Sequence, residues 1–304
     1  MNNSKNNKWL ILSVLALVWG SSFILIKHGL TGLSPVELGS FRILFAALFL
    51  MVVGFKSLKQ IRKHHWKYIV ITSFLGTFIP AYFFAIAQTQ IDSSVTAILN
   101  SMVPLNALIL GILFFRVGFE KKQVIGVLIG LLGSILLIFN GASMNPGQNY
   151  FFAIFIIIAT ICYALNVNIL KRYLQDLNSL SIVTGNFLVL AVPALTILLF
   201  SGILEHINSP ATLASIGFIF ILGVIGTGIA NILFFRLVQI SSPVFATSVT
   251  YLIPVVASIW GFLDHEKMNA RQLVGAAIVL TGVYLAGKKA SSKKGKAVLR
   301  KKFS

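Results

Sequence analysis

The stretch GTGIANILFFRLVQISSPVFATSVTYLIPVVASIWG, residues 226–261, decides the fold, because it restates residues 76–111 at a constant offset of 150. Gly76 matches Gly226, Thr77 matches Thr227, Ile79 matches Ile229, Phe84 matches Phe234, Pro104 matches Pro254 and Gly111 matches Gly261. A one-residue slip then aligns Gln123 with Gln272, Gly126 with Gly275 and Gly133 with Gly282. The second half of the chain is a diverged copy of the first. Both copies are strongly apolar, so the duplicated unit is a block of membrane helices rather than a soluble domain.

Composition agrees. Mean hydropathy is +0.91 and only 11% of residues are charged, against about a quarter in soluble domains. Spans of about 20 apolar residues fit at 9–27, 35–55, 66–87, 94–115, 123–139, 150–170, 179–200, 212–236, 243–263 and 271–287. The chain therefore divides into a first five-helix repeat, 9–139, a second, 150–287, and a basic tail, 288–304. The fold class expected is an all-α membrane protein of ten transmembrane helices in two five-helix repeats. Five is odd, so the second copy enters the membrane from the opposite side and the repeats are inverted.

The net charge of +18 does not point to nucleic acid, because the basic residues form no patch on a folded domain. They sit in short loops and in the tail. With the N-terminus inside, inner segments hold 21 Lys and Arg and outer segments hold three, Lys27, Lys267 and Arg271. Such a bias places both termini in the cytoplasm and the protein in an inner or plasma membrane. The basic inner loops and tail are matched to anionic lipids. The single cysteine, Cys162, lies in an apolar run and allows no internal disulfide.

Enzyme signatures are absent: there is no HExxH, no Cys/His ligand spacing and no phosphate-binding glycine loop, so neither a cofactor nor a metal is expected. No carboxylate sits near mid-membrane, which removes the usual proton relay. The expected partner is a small-molecule substrate. Arg42 is the one charge well inside a span. It either attracts a substrate carboxylate or pairs with Glu37 or backbone carbonyls at a packing site.

Polar residues recur at equivalent places in the two halves. In the fourth span Asn100 and Ser101 precede Pro104, and in the ninth Thr250 and Tyr251 precede Pro254; each proline frees a carbonyl four residues earlier, giving kink or gating positions. The first and sixth spans match at an offset of 144, pairing Trp19 with Tyr163, Ser22 with Asn166 and Lys27 with Lys171. Asn231 in the eighth span corresponds to Ala81, next to Tyr82. These residues outline a central cavity drawn from spans 1, 3, 4, 6, 8 and 9, suited to net neutral or zwitterionic solutes. Gly126 and Gly130 in the fifth span, with Gly275 and Gly282 in the tenth, allow close helix approach, within the chain or across a homodimer.

Together, VWGSSFILIK at 18–27, FRILFAALFL at 41–50, the prolines of spans 4 and 9 and the glycine-spaced spans 5 and 10 resemble the drug/metabolite transporter superfamily, in its ten-helix form built from two EamA domains. The resemblance covers nearly the whole chain. It implies a carrier that exports amino acids, other metabolites or small drugs by alternating access. A multidrug or lipid-linked exporter and an uncoupled channel or facilitator are the alternatives. Where such proteins carry Gly-Glu before spans 5 and 10, this chain reads RVGFEKK and DHEKMNAR.

Overall fold

The computed structural model of the protein describes residues 3–91, 96, 99–115, 120–142, 149–263 and 270–287. The break at Asp92–Ser94, the loop containing Pro146, Glu266, Lys267 and the basic tail lie outside the described residues. Helices occupy all ten expected spans: α1 is Asn3–Gly29, α2 Pro35–Gly54, α3 runs 66–87, α4 is Val103–Phe115 and α5 Lys121–Ala142. In the second half α6 is Ala153–Tyr173, α7 Ser179–Leu199, α8 Pro210–Ile240, α9 runs 243–263 and α10 is Ala270–Gly287. Among the described residues there is no strand, and six helical runs are long and apolar enough to cross a membrane. The protein is an all-helical membrane protein.

Helix starts follow their side chains. Ser34 and Glu37 form a capping box ahead of α2, with Pro35 at the first helical position. Asn178, Ser209 and Ser242 cap α7, α8 and α9 by accepting from the backbone N–H three residues on. Two helices depart from regular winding at the duplicated segment: α3 is a π-helix at Phe74–Phe78 and α8 at Leu222–Ile229. Helix α9 is interrupted at Ser248, between Pro243–Thr247 and Val249–Leu263.

The glycine seam is used inside the chain. A Cβ on Gly282 of α10 would lie 2.6 Å from Gly130 Cα and 2.7 Å from Gly126 O of α5. The sequence left this seam open to a homodimer; it is filled by the chain's own two helices.

The face carrying the basic loops is closely tied between the repeats. His65, before α3, pairs with Asp176, after α6, at 2.8 Å. His65 Nδ1 accepts from Arg62 N–H at 3.1 Å, so the ring's other nitrogen carries the proton given to Asp176. His64 lies close to this pair, but both nitrogens of His65 are engaged. Tyr68 stacks on Tyr173 at 4.4 Å, and Trp9 meets Phe245 edge-on at 5.0 Å. Lys171 of α6 donates to the Val238, Gln239 and Ser241 carbonyls at 3.1, 2.9 and 2.8 Å, closing the end of α8.

Candidate functional site

A cavity of about 90 Å³ lies between the repeats. It is walled by α1, α3, α4, α6, α8 and α9, and by α2, which contributes Arg42. Of the residues singled out in the sequence, Trp19, Ser22, Arg42, Asn100, Tyr163, Asn166, Asn231 and Thr250 line it.

The Arg42 guanidinium reaches this space from α2. Its Nε donates to Thr227 Oγ1 at 2.8 Å, from the π-helical turn of α8. The pairing with Glu37 considered from sequence does not form, because that carboxylate is already held. It accepts from Ser34 N–H at 2.8 Å and from Ser201 Oγ at 3.4 Å, and faces His206 at 3.4 Å. Among the described residues no carboxylate lies within ion-pair distance of Arg42, and its terminal nitrogens have no protein acceptor. A cation is thus presented to the cavity with its charge unbalanced.

Two amide oxygens face the same problem from the opposite sign. Asn100 Oδ1 and Asn166 Oδ1 are buried with no hydrogen-bond partner, a costly arrangement unless water or a ligand donates to them. Asn231 and the Tyr163 hydroxyl also border the cavity without a hydrogen bond among the described residues. The site therefore offers one fixed cation, two or three acceptors and an aromatic and aliphatic wall from Trp19, Phe23, Phe84, Phe234 and Ile253.

The walls repeat as the sequence does. Gly76 leaves room for Asn166, to whose Nδ2 an added Cβ would come within 2.5 Å, and Gly226 leaves room for Ser22, whose Oγ would be 3.1 Å away. Asn166 and Ser22 are themselves counterparts. So are the ring pairs at the two ends: Trp19 with Phe234 at 5.1 Å, and Tyr163 with Phe84 at 6.1 Å. Trp19 Nε1 further donates to Gly226 O at 2.9 Å.

Three expected residues lie elsewhere. Tyr251 is fully buried, and its hydroxyl donates to Val127 O of α5 at 3.0 Å, with its ring against Gly130. Tyr82 shares a hydrogen bond with Ser40 at 2.9 Å and packs its ring on Gly39 of α2. One residue turns a helix by about 100°, so Ala81 faces the cavity and Tyr82 does not. Ser101 is buried, and its Oγ points at Thr250 O, 3.5 Å away, which is the carbonyl freed by Pro254. Pro104 sits just beyond the irregular turn at 101–102, and Pro254 lies inside the helix that resumes after the turn at 248. Sequence reasoning passed over Thr77, Gly76 and Gly226 as lining or spacing residues, although their identity across the repeats marked them.

The model of the EamA-like transporter family matches the chain twice, over residues 7–139 and 151–287. The chain belongs to the EamA-like transporter family. An uncharacterized transporter of Archaeoglobus fulgidus is 26% identical over 93% of this chain and 99% of its own length. Protein PecM of Dickeya dadantii is 25% identical over 88% of each chain, and the uncharacterized inner membrane transporter YedA of Escherichia coli K12 is 26% identical over 90% of this chain and 88% of its own. A crystal structure 14% identical in sequence superposes with a TM-score of 0.72 over 94% of this chain, a likeness of fold. This EamA-like protein is thus a membrane transporter rather than an enzyme, and its cavity is where a transported molecule is to be sought.

Proposed function

We propose that the protein is a secondary transporter that exports small organic solutes bearing a carboxylate, amino acids or related metabolites among them, by alternating access. The observation that carries this reading is Arg42. It is anchored by Thr227, lacks an acid partner among the described residues and stands in a cavity with the unpartnered oxygens of Asn100 and Asn166. A carboxylate would balance the guanidinium, and an ammonium or other N–H donor would satisfy the amide oxygens. The substrate-binding set is Trp19, Ser22, Arg42, Asn100, Tyr163, Asn166, Asn231 and Thr250, with Thr77 and Thr227 added; Tyr82, Ser101 and Tyr251 support it from behind.

The units are two inverted five-helix repeats, 9–139 and 150–287, and a basic tail, 288–304. The basic face is cytoplasmic by the excess of Lys and Arg, in contact with anionic headgroups of an inner or plasma membrane. The test is counterflow: proteoliposomes preloaded with a mixed pool of amino acids and metabolites should accumulate labelled compounds of the same class saturably. Flux proportional to concentration without trans-stimulation would replace the carrier with a channel, and a saturable hit confined to uncharged drugs or lipids would remove the carboxylate reading.

A further inference from the structure

The two repeats carry equivalent lysines in unlike circumstances. Lys171 ends α6, and its counterpart at the offset of 144 is Lys27, at the end of α1. Lys171 donates to three carbonyls at the terminus of α8. A cation at that end also meets the negative pole of the helix. Lys27 is exposed and has no polar partner among the described residues. By the offset of 150 that relates α3 to α8, the carbonyls equivalent to those of Val238, Gln239 and Ser241 belong to Gln88, Thr89 and Ile91, at the end of α3.

The lysine contact lies within one repeat, whereas the helix pairs that join the two repeats at these ends are tied on both faces. On the basic face, α6 is tied to α3 through Asp176 and His65 and through Tyr173 and Tyr68. On the opposite face, the equivalent pair α1 and α8 is tied as well: Thr212 donates to Gly32 O at 3.0 Å and Ser215 to His28 O at 3.2 Å. At the ends of these helices, the departure from two-fold equivalence falls on the lysines. An inverted-repeat carrier changes access by exchanging the conformations of its halves, so the contact made by one lysine is the contact the other makes in the second state.

We infer that Lys171 and Lys27 are alternating latches: Lys171 on the end of α8 closes the basic face in the state described, and Lys27 on the end of α3 closes the opposite face in the other. The inference rests on the alternating-access reading above and names the contacts that define its two states. Neither lysine borders the cavity, so the latches act on access rather than on the bound solute.

The test uses the full-length protein with Cys162→Ala and a reporter cysteine at Thr247, which lines the cavity, in right-side-out and inverted membrane vesicles treated with an impermeant maleimide. Lys171→Gln should slow labelling from the face opposite the basic loops and speed it from the basic face, by roughly tenfold in their ratio. Lys27→Gln should move the ratio the other way. Unchanged rates in both variants, or a shift in the same direction in both, would overturn the latches. Equal labelling from both faces at once in the parent would mark a channel and remove the carrier reading itself, and the latches with it. Because Lys171→Gln gives up three hydrogen bonds, a second variant approaches from the unengaged side. In Lys27→Cys/Thr89→Cys, a short bis-maleimide should crosslink the pair and abolish labelling from the face opposite the basic loops; no crosslink in a protein with intact counterflow would also overturn the proposal.

Discussion

Arg42 is held by its Nε and offers its remaining donors to the cavity, so its removal should be read in the substrate rather than in the fold. Arg42→Gln should lower kcat/KM for a carboxylate solute by about 10–100-fold, the usual worth of a hydrogen bond to a charged group. It should also abolish the preference for the acid over its amide. Equal losses for acid and amide, or failure to accumulate folded protein, would make the residue a packing element. Tyr251→Phe should behave in the opposite way. It deletes the hydroxyl that donates to Val127 O and should cost about 1 kcal/mol of stability, with the substrate profile unchanged, as thermal unfolding in detergent and counterflow together would show. The sequence could rank Arg42 because a charge inside a span is rare. It could not separate Tyr251 from Thr250: both precede Pro254 on the same helix, and a residue's neighbour decides which of two adjacent side chains meets the cavity. Gly130, in the other half of the chain, makes the space that takes the Tyr251 ring.

Among the elements, the seam between α5 and α10 gives the plainest packing prediction. Gly282→Ala would place a methyl group against Gly130 Cα and Gly126 O, both backbone atoms that cannot rotate away. Over-packing of this kind costs typically about 1–3 kcal/mol. Unfolding temperature should fall accordingly, and recovery of the wild-type value would mean the helices separate without cost. The glycine spacing was legible in the sequence; whether its partner was a second chain was not, because close approach looks the same from one helix. The π-helical turns were illegible for a different reason. Their residues, FLGTF in α3 and LGVIGTGI in α8, are ordinary apolar helix formers with glycine, and the widened winding arises where Asn166 and Ser22 press against Gly76 and Gly226. Only the repetition of Gly-Thr in both halves hinted that this turn carried a shared duty.

At the scale of the whole molecule, duplication and apolar composition made the all-helical membrane fold readable, since each is a sum over many residues and tolerates local error. What sums cannot supply is which cross-repeat contacts are made, and the His65–Asp176 strut is an example: neither residue sits in a motif, yet they join the two halves on the basic face. Burial is the largest single influence and raises the Asp176 carboxyl, but the hydrogen bonds from His65 and from the backbone, together with the two neighbouring imidazoles, outweigh it in sum and hold the group below its ordinary range. A carboxylate lowered in the folded state adds stability above its unfolded pKa, and loses that contribution as pH falls through the folded value. Asp176→Asn should therefore melt slightly below wild type at neutral pH, a small difference because the carboxylate is 61% exposed. The two curves should converge only once the pH has fallen through the folded value, itself below the ordinary carboxyl value of about 3.9, where the wild-type carboxyl is protonated in both states. A gap that persists into acid would assign the strut to packing rather than charge. Should a cytoplasmic reporter fused after Ser304 also prove active, the strut stands on the cytoplasmic side, as the positive-inside rule predicts, and its loss should ease opening toward the cytoplasm without touching the affinity of the cavity.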